Sequence, residues 1–381
     1  MSTILIPTGP PGSGKSTLCN GLQQFMRAVA RPCSVGNLDP ANDNIPYEAS
    51  FDVRELVNVD EVMEREELGP NGGVLWAMEE VEANIDWLEE RLQDCEETIL
   101  LDPPGQPELT THHTALPRIL HRLEKAGYRV VIIQLLDSVV LTRPSLYLSS
   151  LILCLRGMLH LPYPVVNVLT KIDNLKAVGG ADLPFNLDFY TEVQDLHHLL
   201  PSLAQELQAT PSASSEKWDK LNEALISLIE DHGLVGFETV AVEDRQSMAS
   251  LLRAIDRASG YVFQGARATD EEGRTVSDEA SIWAQAMNEG YGKMEIRDVQ
   301  ERWIERKEEF DELERKAWEE EARQAGALPE EPAATVKRKD AEGDEKMEDD
   351  EEDDELLAEQ RKWQEEQAKK GGGGGTGFVR R

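Results

Sequence analysis

Basic charge is scarce in this chain of 381 residues. Lys and Arg number 39 against 73 Asp and Glu, which gives a formal net charge of −34. Phosphate backbones and anionic membrane surfaces repel such a chain. We therefore expect neither nucleic acid nor membrane among its partners, although a local basic patch stays compatible with this balance.

Cysteine is also scarce, and the four cysteines form no recognisable pattern. No pair has C-x-x-C spacing, and no histidines follow at the spacing of a zinc site, so the sequence predicts neither a disulfide framework nor structural zinc. The amino terminus lacks a basic region before an apolar run, as a secretory signal would have. The longest apolar stretch, residues 146–161, contains Arg156 and is too short to span a bilayer. We expect an intracellular protein.

Apolar runs alternate with amphipathic stretches up to about residue 260. The runs predict strands at residues 3–8, 33–37, 98–102, 130–137, 165–170 and 237–242. The amphipathic stretches predict helices at residues 16–28, 74–92, 116–126, 144–159, 187–200, 217–232 and 246–259. Continuous apolar strands between helices are typical of a doubly wound α/β domain with a mostly parallel sheet.

The composition changes after this alternation ends. Residues 298–323 predict a charged helix, residues 340–355 are mostly acidic, and residues 371–375 are all glycine. Segments of this kind bury too little apolar surface to offset the entropy of ordering. We therefore predict two regions, an α/β domain at residues 1–263 and a charged, low-complexity C-terminal extension at residues 264–381, partly helical and partly disordered. A deletion after Phe263 is expected to leave the activity of the domain intact.

The sequence GPPGSGKS at residues 9–16 matches G-x-x-x-x-G-K-[ST] and lies between a predicted strand and a predicted helix. In such a P-loop NTPase site, glycines let backbone N–H groups turn toward phosphate, and the helix dipole adds positive potential. Lys15 would reach the β- and γ-phosphates, and the Ser16 hydroxyl would bind Mg²⁺. A glycine-rich turn with a surface lysine is the alternative. The predicted phosphate-binding residues are Gly9, Gly12, Ser13, Gly14, Lys15, Ser16 and Thr17.

A second element follows the strand at residues 98–102. The strand ends in Asp102, and Pro103, Pro104, Gly105 and Gln106 come next. Asp102 would hold Mg²⁺ through water, the Gly105 N–H would contact the γ-phosphate, and Gln106 would orient the attacking water. A strand that runs into a Pro-Gly turn is the alternative interpretation.

A third element, Thr170-Lys171-Ile172-Asp173, follows another buried strand. A carboxylate beside guanine accepts hydrogen bonds from the ring N–H and the exocyclic amine, whereas adenine lacks this donor pair. Asp173 is thus predicted to select guanine, with the Lys171 stem over the base plane. Thr170 stands where Asn is usual, and this change is expected to weaken the tie of the loop without affecting the discrimination.

Residues 18–97 contain no threonine. This excludes the mechanism of small Ras-like GTPases, in which a threonine between the first two elements completes the Mg²⁺ coordination. Asp39, after the second predicted strand, is a candidate for a related role. A turn-forming Asp before Pro40 is the alternative.

Gly69, Pro70 and Asn71 stand between the P-loop and the Asp102 element, where spacing alone favours a surface loop that caps a helix. Together with NLDPA at 37–41, EANIDW at 82–87, ELTTHH at 108–113 and FNLD at 185–188, they give the chain a specific resemblance to the GPN-loop GTPases. The resemblance covers residues 1 to about 261. It does not cover the C-terminal extension.

The resemblance implies a constitutive dimer, either a homodimer or a heterodimer with another GPN-loop GTPase. In the family the GPN loop reaches into the partner's site, and that role would fall on Asn71. The implied catalytic set is Asn71, Gln106, Asp39 and Lys15, with Ser16, Asp102 and Asp39 around Mg²⁺. Arg54 and Arg65 could act as arginine fingers, but nothing in the sequence places them. The last guanine-contacting element is poorly marked, and residues 241–243 around Val242 are its expected position.

The resemblance also implies a role in assembly and nuclear import of RNA polymerase II and related polymerases. The expected partners are subunits of RNA polymerases II and III or their assembly factors. We expect a cytoplasmic protein that shuttles to the nucleus. Lys337, Arg338 and Lys339 resemble a nuclear-targeting patch, although such a short basic run is more often a solvated charge run.

Three functional hypotheses remain open from the sequence. The first is a Mg²⁺-dependent dimeric enzyme that binds GTP and hydrolyses it to GDP. The second is a nucleotide-sensing assembly factor or scaffold whose slow hydrolysis is incidental. The third is a P-loop nucleotide kinase, which would need an Arg-rich lid that we do not find in the sequence.

Overall fold

The structure is a computed structural model. It describes residues 2–42, 44–178, 183–208, 215–260, 267–269, 275–277 and 296–324. The predicted acidic run, the glycine run and the basic patch at 337–339 lie outside these residues. Within them, no helix is both long and apolar enough to cross a membrane.

The described residues form a seven-stranded sheet in the order β3-β2-β4-β1-β5-β6-β7, and every neighbouring pair is parallel. The strands are β1 Thr3–Thr8, β2 Cys33–Asn37, β3 Phe51–Asp52, β4 Thr98–Asp102, β5 Arg129–Asp137, β6 Val165–Thr170 and β7 Phe237–Val240. A separate antiparallel pair joins β8 Arg267–Thr269 and β9 Thr275–Ser277. The predicted doubly wound α/β fold is confirmed. The two-residue strand β3 has too little sequence to show a pattern and was missed.

Helices cover both faces of the sheet, because successive strand residues point to opposite sides. Ile4 and Ile6 of β1 join one apolar cluster, whereas Leu5 joins another on the opposite face. The helices before the C-terminal segment are α1 Lys15–Ala28, α2 Val59–Glu66, α3 Pro70–Ala83, α4 Ile85–Gln93, α5 Pro107–Thr111, α6 Ala115–Lys125, α7 Pro144–His160, α8 Leu187–Glu192, α9 Leu200–Gln208, α10 Ser215–His232 and α11 Arg245–Ser259.

Two predicted helices are each divided in the structure. The predicted helix 74–92 breaks at Asn84, whose side-chain amide donates to the Glu80 carbonyl at 3.0 Å and competes with the helix backbone. The predicted helix 187–200 ends after Glu192, since Val193 and Asp195 have left-handed φ angles of 55° and 54°. Both breaks depend on one or two residues that apolar periodicity does not reveal.

The C-terminal segment is helical from α12 Ile296–Gln300 through a π-helical turn Glu301–Glu305 to α13 Lys307–Gln324. The chain divides into a compact unit Met1–Ala317 and a second unit Trp318–Arg381, of which the structure describes only the end of α13. Val299 and Trp303 are buried in the same apolar cluster as residues of α7 and α8. The compact unit therefore continues past the predicted boundary at residue 263, because two apolar side chains anchor an otherwise charged segment.

Candidate active site

The carboxyl ends of the parallel strands form one edge of the sheet, and most of the predicted site residues line one cavity there. A cavity of about 570 Å³ opens at this edge. It joins parts of the chain more than 150 residues apart. Its lining includes Gly12, Gly14, Lys15, Ser16, Thr17, Asp39, Pro70, Asn71, Gly105, Gln106 and Lys171.

The loop after β1 has the backbone that a phosphate cradle requires. Gly9 has a φ of 147°, and a Cβ there would lie 2.4 Å from the Leu135 carbonyl oxygen, so only glycine fits. Gly12 and Gly14 have φ angles of 77° and 92°, in the left-handed region that favours glycine. Helix α1 begins at Lys15, directly after Gly14. The loop thus has the left-handed glycine backbone of a phosphate cradle directly before the amino terminus of α1.

Lys15 is held by the loop it follows. Its Nζ donates to the Gly9 and Pro10 carbonyl oxygens at 3.1 and 3.2 Å. Burial lowers the pKa of this ammonium, while the carboxylates of Asp102 and Asp39 oppose the shift. A buried cation between two carboxylates is suited to meet a polyphosphate, since the negative charge of the ligand would replace hydration that burial has removed.

Asp102 at the end of β4 organises the centre of the site. Its Oδ2 accepts hydrogen bonds from the Ser16 hydroxyl at 2.6 Å and the Tyr47 hydroxyl at 2.9 Å. Its buried Oδ1 has no hydrogen-bond partner among the described residues. Burial raises the pKa of Asp102, and the two hydroxyl bonds and Lys15 oppose this shift. Tyr47 was missed from the sequence because it lies in an irregular stretch with no motif.

Asp39 follows β2, forms a turn there and also faces the cavity. Its Oδ1 accepts a hydrogen bond from the Ala41 N–H at 3.0 Å, which is the turn-forming role. It also lines the cavity, and burial raises the pKa of its carboxyl group. The buried Asn37 fixes this turn, with its Oδ1 3.1 Å from the Asp39 nitrogen and its Nδ2 3.1 Å from Asp52.

These oxygens are compatible with a magnesium ion. The Ser16 hydroxyl and the unpartnered Asp102 Oδ1 are hard oxygen donors, and Asp39 supplies further negative charge. Among the described residues there is no group of three or more His, Cys, Asp or Glu that could hold a metal alone. Magnesium in nucleotide sites takes only one or two protein ligands and completes its shell with phosphate and water. The residues therefore fit Mg²⁺ bound together with a nucleotide.

Gly105 and Gln106 follow Asp102 and face the P-loop. A Cβ on Gly105 would lie 2.6 Å from Lys15 Nζ and 3.3 Å from Pro11 Cα, so the backbone approaches the loop closely. The Gln106 side chain lines the cavity, and its buried Oε1 lacks a partner among the described residues. An unsatisfied amide oxygen at this place is an acceptor for a water molecule.

The Gly69-Pro70-Asn71 segment begins helix α3, with Gly69 at the N-cap and Pro70 at the first helical position. The prediction that it caps a helix therefore agrees with the structure. Asn71 is nevertheless exposed and lines the cavity of its own chain. The two candidate arginine fingers do not line it: Arg54 pairs with Asp52 at 2.6 Å, and the Arg65 guanidinium lies 5.0 Å from the Trp76 ring centre.

The loop after β6 is tied to the P-loop. The Thr170 hydroxyl lies 2.8 Å from the Ser13 carbonyl oxygen and 3.1 Å from that of Leu136. Thr170 thus ties its own loop directly to the phosphate-binding loop. Lys171 has a left-handed φ of 58°, and its Nζ pairs with Asp137 at 2.7 Å.

Asp173 lies in a 3₁₀ helix, Ile172–Val178, and is partly exposed. Val242 follows β7, but its side chain packs against Gly21 of α1, where an added Cβ would lie 2.4 Å from Val242 Cγ1. Neither Asp173 nor Val242 is among the residues that line the 570 Å³ cavity, whereas Lys171 is. The cavity therefore joins the predicted phosphate-binding residues and reaches the predicted base-contacting loop only at Lys171.

Comparisons with known proteins agree with this geometry. Residues 8–261 match the family described as "Conserved hypothetical ATP binding protein". The chain is 42% identical over 311 residues to GPN-loop GTPase 2 of Saccharomyces cerevisiae, covering 80% of this chain and 85% of that protein. It is 43% identical over 278 residues to GPN-loop GTPase QQT1 of Arabidopsis thaliana, covering 72% of this chain and 91% of that protein.

A solved structure shares the fold. It is the apo form of PAB0955, a GTPase from Pyrococcus abyssi, with a TM-score of 0.50 and 24% identity over 67% of this chain and 97% of that one. The phosphate-binding loop, the Asp102 element and the Gly69-Pro70-Asn71 segment thus occur in a chain that is more than 40% identical, over the aligned residues, to proteins named for that segment. This chain belongs to the GPN-loop GTPase family.

Proposed function

We propose that this chain binds GTP together with Mg²⁺ and hydrolyses it to GDP and phosphate. The observation that carries the proposal is the Ser16–Asp102 pair at 2.6 Å beside Lys15, with Asp102 Oδ1 unpartnered, in one cavity with Gln106 and Asn71. The family supports the same reaction, because the similar proteins are named GTPases.

Each side chain has a separate part in this reaction. The Lys15 ammonium offsets the charge of the β- and γ-phosphates, and the Gly105 N–H donates to the γ-phosphate. Gln106 orients the attacking water through its unpartnered Oε1. Asn71 donates its amide to charge that develops on the γ-phosphate, an interaction strongest in the transition state. Ser16 and Asp102 would hold a Mg²⁺ ion, which when bound would supply Lewis-acid stabilisation of the phosphates.

The base is guanine in this proposal, because Asp173 offers a carboxylate to the two donors of the guanine edge. The family description that names ATP makes this the point to test. We expect wild-type protein to prefer GTP over ATP, and Asp173→Ala to lose that preference by roughly a hundredfold, since a charged hydrogen-bond partner is removed. Unchanged preference in Asp173→Ala would contradict the assignment of the base.

We also propose that the chain acts as a dimer, either with itself or with another GPN-loop GTPase. Asn71 lines the cavity of its own chain, so two arrangements compete: a site completed within one chain, and one completed by the GPN loop of a partner. The specific rate of GTP hydrolysis, measured over a wide range of protein concentration, distinguishes them. A rate that rises with concentration supports a site completed between subunits. A flat, substantial rate with a monomeric mass contradicts it.

The proposed clients are RNA polymerase II and related polymerases, either their subunits or their assembly factors, in the cytoplasm with shuttling to the nucleus. The net charge of −34 supports a protein client and not DNA. In the second candidate function, a nucleotide-sensing scaffold, hydrolysis is slow and the bound nucleotide controls client affinity. Client binding that is equal with GDP and with a non-hydrolysable GTP analogue would contradict that candidate.

A further inference from the structure

The segment 296–317 contacts the loop that carries the guanine-selecting residue. The π-helical turn Glu301–Glu305 packs against the 3₁₀ helix Ile172–Val178, which contains Asp173. Lys307 Nζ donates a hydrogen bond to the Asp173 backbone carbonyl. The charged segment that the sequence assigned to an extension therefore touches the base-recognition residue itself.

Apolar burial fixes this contact in place. Trp303 is 7% exposed and Val299 is 4% exposed. Both belong to the cluster that contains Ile172 and Leu175 of the base loop, by which we mean residues 170–178 after β6. Burying a tryptophan and a valine contributes several kcal/mol. The segment thus does not depend on the charged contact alone to stay against the loop.

Polar contacts orient Lys307 on this anchor. Arg302 stacks over Trp303, with its guanidinium carbon 4.2 Å from the ring centre, and pairs with Asp311 at 2.9 Å and Glu314 at 3.0 Å. Its Nη1 also donates to the Lys307 carbonyl at 3.4 Å. Arg302 therefore contacts α13 both at its first residue and at two acidic side chains further along. Lys307 Nζ itself lies 5.6 Å from the Trp303 ring centre.

A second contact ties the same segment to helix α8. Gln300 Oε1 accepts a hydrogen bond from the Leu187 N–H at 3.1 Å, which satisfies a free donor at the start of that helix. Its Nε2 donates to Asn186 at 3.3 Å. The segment is thus bound at two places, one on α8 and one on the base loop.

We propose that segment 296–317 is part of the guanine-recognition apparatus, with Lys307 as the positioning residue that holds the Asp173 loop for the base. On the other side, Thr170 bonds to Ser13 and Lys171 pairs with Asp137. Lys307 adds a third contact through the Asp173 carbonyl, from a segment that is distant in the chain. This inference rests on the proposed role of Asp173.

The test uses full-length Lys307→Met and a matched control, Lys316→Met, at an exposed lysine on the same helix. Affinities for GDP, for inosine diphosphate and for inorganic pyrophosphate are measured by calorimetry. Inosine lacks the exocyclic amine, so the ratio of GDP to inosine diphosphate affinity reports the Asp173 contact. We expect Lys307→Met to lower this ratio about fivefold, as a charged hydrogen bond of Asp173 weakens, with pyrophosphate affinity unchanged. Lys307→Arg should restore the ratio, and Lys316→Met should match the wild type.

Two outcomes would overturn the proposal. One is a GDP to inosine diphosphate ratio in Lys307→Met equal to that of Lys316→Met. The other is an equal loss of affinity for all three ligands, which would make the segment a general structural support. Asp173→Asn separates this proposal from the proposed function. If Asp173→Asn leaves the ratio of GDP to inosine diphosphate affinity unchanged, the guanine assignment is wrong. If Asp173→Asn removes the preference for GDP and Lys307→Met does not lower it, only the positioning role of Lys307 is wrong.

Discussion

The phosphate end and the base end of the site are built in different ways. At the phosphate end, Lys15 bonds to Gly9 and Pro10, which lie six and five residues away. At the base end, Thr170 bonds to Ser13 across 157 residues, and Lys307 reaches Asp173 across 134 residues. The phosphate-binding loop is stabilised by contacts between residues close together in the chain, whereas the base loop is stabilised by contacts with distant parts of the chain. The two ends are joined by the bond from Thr170 to Ser13, whereas the contact from Lys307 reaches the base end alone.

The largest expected effect breaks the phosphate end alone. Lys15→Met removes the buried cation beside the phosphates and should lower hydrolysis roughly a thousandfold or more, because charge stabilisation in the transition state is lost. GDP and inosine diphosphate affinities should fall together, so their ratio stays constant. Lys125→Met, at the exposed end of α6, is the control. Hydrolysis within tenfold of wild type, or a changed ratio, would contradict this account of the phosphate end.

The next effect tests how firmly the base end is anchored. Trp303→Ala should lower the free energy of unfolding by about 3 kcal/mol, since a large buried side chain is removed. Trp318→Ala is the matched control, because Trp318 is 72% exposed and should change stability by no more than about 0.5 kcal/mol. Urea unfolding of both full-length variants measures the difference. Equal stabilities would mean that the segment does not depend on Trp303 for its place against the domain.

A third variant sharpens the comparison within the phosphate end. Asn71→Ala should slow GTP hydrolysis about a hundredfold, the cost of one transition-state donor, while GTP affinity stays within about threefold because ground-state contacts remain. Asn222→Ala on α10, which does not line the cavity, is the control. Single-turnover kinetics and equilibrium binding separate the two effects. Normal turnover in Asn71→Ala would leave Asn71 with only a structural place at the start of α3.

The smallest effect concerns the bond that joins the two ends. Thr170→Val keeps the side-chain volume but removes the hydroxyl that reaches the Ser13 carbonyl, so we expect a loss of about 1 kcal/mol in stability. Thr170→Ser keeps the hydroxyl and should therefore retain most of the stability that this bond contributes. Thermal unfolding of the pair measures the bond. If Val and Ser behave alike, the 2.8 Å contact contributes nothing to holding the base loop on the P-loop.

Much of the fold followed from the sequence, because parallel strands buried on both faces have continuous apolar runs. The predicted limits are correct for four strands, β1, β2, β4 and β6. Strands β5 and β7 differ from their predicted limits by one or two residues at one end. The short strand β3 and helices α2, α5 and α9 were missed, since elements of two to nine residues carry little periodicity. The helix break at Asn84 rests on one residue, and the break after Glu192 rests on Val193 and Asp195, so neither shows in the apolar pattern.

The candidate site shows the same difference between residues that the sequence predicts and residues that depend on distant contacts. The P-loop, Asp102, Gln106 and Asn71 were named from the sequence, and the cavity joins most of them. Tyr47 was missed, because its bond to Asp102 spans 55 residues and depends on the path of an irregular stretch. Val242 was placed correctly after β7, but the structure packs its side chain on Gly21.

By itself the sequence determined the phosphate-binding loop, the acidic charge and the alternation of strands and helices, because each depends on residues close together in the chain. Only the tertiary structure decided that Tyr47 supports Asp102, that Thr170 joins the base loop to the P-loop, and that Lys307 reaches the Asp173 carbonyl. The physical reason is burial. Burial of Trp303 stabilises the protein only when Trp303 packs against the cluster that contains Ile172 and Leu175. These residues lie about 130 positions from Trp303 in the chain, so they meet only after the sheet and its helices have packed.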